Sequence, residues 1–128
     1  MSDTGRFSVT GRVRSFRDAF RGVAILAKTQ HNARIHGFAT VAVIAAGFWL
    51  GCGAGEWAVL ALAIALVWLA EGMNTAIEAL GDAVSPESHP LVGRAKDVAA
   101  GAVLLAAIGA AVAGLLVFVP RLLARFGA

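Results

Sequence analysis

Three long runs with little or no charge decide what this chain can become. Residues 37–55 (GFATVAVIAAGFWLGCGAG) are nineteen positions without a charge. As a helix such a run rises about 28 Å, close to the roughly 30 Å hydrocarbon core of a bilayer. Residues 57–80 open with fourteen apolar positions and turn polar at Glu71. Residues 98–119 are twenty-two uncharged positions, about 33 Å of helix. The chain is 59% hydrophobic and 15% charged, against about 45–50% and 25% for soluble domains. The pattern predicts an all-α integral membrane protein with three transmembrane helices at 37–55, 57–80 and 98–119. It excludes a secreted or periplasmic soluble protein and gives no nucleic-acid-binding composition. The lone Cys52 offers no disulfide or zinc framework within one chain. The first thirty residues hold no apolar run before a cleavage site, so no signal peptide is expected.

Basic residues set the expected orientation. Arg6, Arg12, Arg14, Arg17, Arg21, Lys28 and Arg34 precede the first run, and Arg94 and Lys96 lie between the second and third. Only Arg121 and Arg125 follow the third. The positive-inside rule therefore puts the N-terminus and the 81–97 connection in the cytoplasm. Trp49 and Trp57 flank the outer turn, where interfacial aromatics gather. Ahead of the spans, residues 12–30 form a separate element. Val13, Phe16, Phe20, Val23, Ala24 and Ala27 share one helical face, which predicts a basic amphipathic helix lying in the interface plane.

The second run carries the chemistry. Its inner half reads EGMNTAIEALGD, and at about 100° per residue Glu71, Glu78 and Asp82 fall within roughly 40° of one another, with Asn74 to one side. Counted from Trp57, Glu71 lies about 21 Å along the axis, inside the hydrocarbon near the cytoplasmic face, and Glu78 about 31 Å. A carboxylate at that depth marks a functional site by default. A helix that merely emerges early accounts for Asp82 and Glu78. It does not account for Glu71, because ending the span at Ala70 leaves too few residues to cross. Gln30, His31, Asn32, Arg34 and His36 gather at the same level, as do Ser85, Glu87, His89, Arg94, Lys96 and Asp97. Carboxylate, amide and hydroxyl oxygens suit Mg²⁺, and Lys96 can meet a phosphate as a point charge. The histidines are too scattered for a convincing zinc site. No P-loop or kinase Gly-rich loop occurs. From the residues alone, a lipid-headgroup enzyme and a proton-coupled carrier both stand.

Several stretches decide further. EGMNTAIEALGD (71–82) followed by HPLVGRAKDVAAGAVLLAA (89–107), with SFRDAFRG (15–22), NARIH (32–36) and EW (56–57), resembles the small bacterial diacylglycerol/undecaprenol kinase family of three-span membrane kinases. The likeness runs from about residue 15 to 120 and implies a single membrane-embedded lipid kinase domain over residues 1–128, assembled as a homotrimer. It implies transfer of the ATP γ-phosphate to the hydroxyl of diacylglycerol, with undecaprenol as the rival acceptor, in the bacterial inner membrane. It makes Glu71 the general base and Glu78 a Mg²⁺ ligand, with Asn74 and Asp82 supporting polar positions on the same face. It gives Glu78, Glu87, His89, Lys96 and Asp97 to the nucleotide, and Asn32 and Arg34, with Glu71, to the lipid. Gln30 stands where the family usually has a second Mg²⁺-binding glutamate, so it is a metal and nucleotide candidate that brings no charge. A catalytically degenerate or transport-like membrane protein is the expectation from another class.

Overall fold

The computed structural model describes residues 8–29 and 31–127. Four helices follow one another: α1 (Val9–Thr29), α2 (His31–Trp49), α3 (Ala54–Val84) and α4 (Pro90–Phe126). α3 and α4 pack along their lengths as an antiparallel pair, α2 lies against α3, and α1 touches α2 and α3.

Each helix end has a local cause. The α2–α3 turn occupies residues 50–53, with Gly51 at φ +67°, a conformation glycine adopts without steric cost. The Gly53 backbone N–H donates to Glu56 Oε2 at 2.7 Å, one half of a capping box that opens α3. At the start of α4, His89 Nδ1 accepts from the Leu91 backbone N–H at 3.2 Å, and Pro90 stands at the first helical position, where its missing N–H costs nothing. Gly127 closes α4 at φ +71°.

At the turn end, Arg121 of α4 reaches across the bundle. It donates from Nε to Glu56 Oε1 at 2.9 Å and from a terminal nitrogen to Glu56 Oε2. It also donates to the carbonyls of Leu50 and Gly51 at 3.2 and 2.6 Å. Arg125 lies over the Trp49 ring, 4.8 Å from its centroid. One arginine thus fastens α4 to the α2–α3 turn and to the start of α3.

These extents differ from the apolar runs. The first apolar run covers 37–55, but helix α2 begins at His31 and stops at Trp49. The turn falls at 50–53 because Gly51 and Gly53 there supply the bend and the cap. α3 therefore starts before Trp57 and runs past Leu80 to Val84. α4 starts at the Pro90 cap, not at residue 98, and passes through Pro120 to Phe126. Hydropathy marks the stretch that tolerates hydrocarbon, whereas backbone hydrogen bonding continues until a cap or glycine ends it. α3 and α4 are long and apolar enough to cross a membrane. α2 spends its first turns on His31, Asn32, Arg34 and His36, which leaves it a shorter apolar stretch. The outer faces of α3 and α4 present Leu62, Leu69, Leu105 and Leu116, each more than half exposed, instead of burying them in a core.

Candidate active site

The helical period of α3 turns Glu71, Asn74 and Glu78 toward one side, and the packing of α2 and α4 closes over the first two. Glu71 is 1% exposed and Asn74 7%, the buried polar side chains among the described residues. Glu71 Oε2 faces His36 Nε2 of α2 at 3.6 Å, and His36 is itself largely covered. The two helices are held in this register one turn further along. Trp68 Nε1 donates to Thr40 Oγ1 at 3.0 Å, and Thr40 Oγ1 donates to the His36 carbonyl at 2.7 Å. Further from the α2–α3 turn, Asn74 Nδ2 donates to Glu78 Oε1 at 3.1 Å.

Three buried atoms here have no hydrogen-bond partner among the described residues: Glu71 Oε2, Asn74 Oδ1 and Thr75 Oγ1. Such an atom costs about 1–3 kcal/mol when left unmade, and folded proteins keep few without a reason. All three lie within two turns of α3, on the stretch that carries Glu71, Asn74 and Glu78. Two apolar grooves flank it. One, of about 520 Å³, runs between α2, α3 and α4 past His36, Thr40, Leu60, Val67, Gly114 and Phe118. The other, of about 640 Å³, lies between α1 and α3 beside Gly22, Leu26, Trp68, Gly72 and Thr75. A buried carboxylate beside apolar grooves suits a reactant with a polar head on a greasy body.

The remaining candidates lie further along. Asp82 is exposed and forms an ion pair with Lys96, whose stem is half-buried. That pair joins α3 to α4 about 16 Å along the axis from Glu71. Lys96 Cε and Val92 Cγ1 each come within 2.9 Å of where a side chain on Gly81 would begin, so glycine is what permits the close approach. Glu87 and His89 are exposed in the α3–α4 connection. There the Glu87 carbonyl accepts from Ser85 Oγ at 2.6 Å and His89 caps α4. Asp97 is exposed beside Lys96. Asn32 and Arg34 are exposed on the first turns of α2; Asn32 lines a small cleft with His36 and α4, while Arg34 is about 200° around the helix from His36. Gln30 lies outside the described residues. Among the described residues, no three His, Cys, Asp or Glu side chains gather closely enough to hold a metal ion by themselves.

His36, as the partner of Glu71, is the residue that the sequence reading missed. The signal was available in depth. From the 50–53 turn, residue 36 lies about 21 Å back along α2 and residue 71 about 27 Å along α3, nearly the same level.

Comparison with known proteins identifies the family. The sequence pattern described as prokaryotic diacylglycerol kinase matches residues 17–118. The chain is 39% identical over 109 residues to the undecaprenol kinase of Bacillus subtilis (strain 168), covering 85% of this chain and 89% of that protein. It is 49% identical over 110 residues to the diacylglycerol kinase of Synechocystis sp., covering 85% of this chain and 63% of that protein. To the diacylglycerol kinase of Escherichia coli (strain K12) it is 38% identical over 79 residues, 62% of this chain and 65% of that protein. The chain thus spans less than two thirds of the length of the latter two.

Proposed function

The chain belongs to the prokaryotic diacylglycerol kinase family and is a lipid kinase, a phosphotransferase; from that premise we propose that it moves the γ-phosphate of ATP to the free hydroxyl of diacylglycerol, making phosphatidic acid. The carrying observation is the nearly complete burial of Glu71, with Oε2 making no hydrogen bond among the described residues, on the stripe that continues through Asn74 to Glu78. In this reading Glu71 takes the proton as the lipid O–H bond breaks. The oxygen bonds to the γ-phosphorus, the bond from that phosphorus to the β-phosphate oxygen breaks, and ADP leaves. Phosphoryl transfer asks a protein mainly for positioning and charge neutralisation, so a base, a cation and a rim of polar groups suffice.

The donor set fits Mg²⁺. Glu78 offers a carboxylate, and Asn74 Oδ1, without a hydrogen-bond partner among the described residues, is a hard oxygen beside it. Mg²⁺ commonly takes one or two carboxylates together with substrate phosphates. Glu78 and Asn74 would hold it, with Gln30 as a neutral third candidate, and the ion would neutralise charge on the phosphates. Lys96 adds a point charge, Glu87, His89 and Asp97 surround the nucleotide, Asp82 holds Lys96, and Asn32 and Arg34 would meet the lipid headgroup from different sides of α2.

The same reading places α2, α3 and α4 across a bacterial inner membrane. α1 lies along its cytoplasmic face as an amphipathic helix, the N-terminus is cytoplasmic, and three copies form a homotrimer of one domain each. The distribution of Lys and Arg and the exposed leucines of α3 and α4 support it. Undecaprenol is the second acceptor to consider, because the relative named undecaprenol kinase is matched over 89% of its length. The family match lends nothing to a transport-like or inert chain. Purified protein in detergent, given γ-labelled ATP and either diacylglycerol or undecaprenol alone, decides the matter. Label in phosphatidic acid supports the proposal. Label only in undecaprenyl phosphate moves it to the second acceptor, and none in either lipid overturns it.

A further inference from the structure

We propose that His36 is a positioning residue for Glu71, its Nε2–H donating to Glu71 Oε2 and holding the carboxylate aimed at the acceptor hydroxyl. This rests on Glu71 being the base. A carboxylate oxygen taken out of water costs free energy unless something donates to it. Glu71 is 1% exposed, and Oε2 has no hydrogen-bond partner among the described residues. The side chain set against that oxygen is His36, with Nε2 at 3.6 Å.

Of the other donors nearby, Asn74 gives one Nδ2 hydrogen to Glu78, Lys96 is paired with Asp82, and Arg34 leaves α2 on another side; Thr75 Oγ1, one turn along α3, makes no hydrogen bond among the described residues. The α4 residues beside His36 (Ala100, Val103, Leu104 and Ala107) are apolar and can neither satisfy the imidazole nor compete for the carboxylate. A contact of 3.6 Å is longer than the roughly 2.7–3.2 Å of a made hydrogen bond. Catalytic hydrogen bonds are often long before the substrate binds and tighten with it. The Trp68–Thr40–His36 chain fixes the helix register one turn away, so closing the gap takes a side-chain adjustment and no helix movement.

The test uses full-length protein in detergent with dioctanoylglycerol and MgATP. His36→Leu keeps the bulk and removes the donor. Its kcat should fall about 10–100-fold, the loss typical of a hydrogen bond to a charged group, with KM for ATP unchanged. His36→Gln, which can place an N–H near Nε2, should recover most of the rate. His36→Asn, one methylene shorter, should not. In a Glu71→Gln background, His36→Leu should cost nothing further, since groups acting as a unit are non-additive. Wild-type kcat in His36→Leu, with Glu71→Gln inactive, overturns the inference and leaves the base reading standing. So does a His36→Leu loss that persists in the Glu71→Gln background. Wild-type turnover in Glu71→Gln overturns both. If His36→Leu does not fold, the Gln and Asn variants decide alone, and equal rates for the two overturn the inference.

Discussion

At the scale of single residues, the informative quantity is the environment of a charge. Glu71 sits where a carboxylate is expensive, beside a histidine and among apolar walls, and a side chain kept at such a cost is expected to act. Glu71→Gln should lower turnover by about 10²–10⁴-fold, the usual contribution of a general base. KM for ATP should hardly change, which initial-rate measurements over varied ATP will check. Glu78 and Gln30 should separate differently. Glu78→Gln removes the one formal charge proposed for the metal and should abolish transfer. Gln30→Glu should lower the Mg²⁺ needed for half-maximal rate in a titration at fixed ATP. An unchanged requirement would mean that position 30 is not a ligand. The Glu71–Asn74–Glu78 stripe was legible because residues on one helix obey a fixed period. His36 was not read as its partner, because that contact joins two helices and depends on where the intervening turn falls.

At the scale of elements, each close approach is permitted by a missing side chain. Gly47 of α2 lies so near Trp57 of α3 that an added Cβ would sit 2.6 Å from Cη2 and 2.9 Å from Cζ2. Gly47→Ala should therefore destabilise the protein by about 1–3 kcal/mol, the usual cost of overpacking. Adding Trp57→Leu should return part of the loss, with thermal unfolding in detergent as the measurement. Helix type was readable across the described residues, since long apolar runs and the 3.6-residue period leave no room for strands there. Helix length was less so. A cap at His89–Pro90 extends α4 well beyond its apolar run, and the Gly51–Gly53 bend shortens α2. Those are local stereochemical events that hydropathy does not register.

At the scale of the whole molecule, the helices bury little of one another. Leu60 is 1% exposed and Ala106 6%, yet Phe38, Phe48, Leu62, Leu105 and Leu116 are each more than 60% exposed. A chain of 13.1 kDa with this much apolar surface needs lipid or further copies around it. The homotrimer predicts a detergent-corrected mass by light scattering of about three times that of one chain. A mass equal to one chain under conditions that support activity would remove the oligomer from the proposal.

The Trp68–Thr40 hydrogen bond also gives the protein an optical reporter of its own. The sequence has three tryptophans, and Trp49 and Trp57 both belong to the far end, near the 50–53 turn. With those two changed to phenylalanine, the remaining indole would be a lone emitter, one turn from Glu71 and tied through Thr40 to the His36 backbone. Its wavelength would follow polarity at the α2–α3 seam. Occupancy of the grooves on either side of that seam could then be followed as a colour shift, without a label and without turnover.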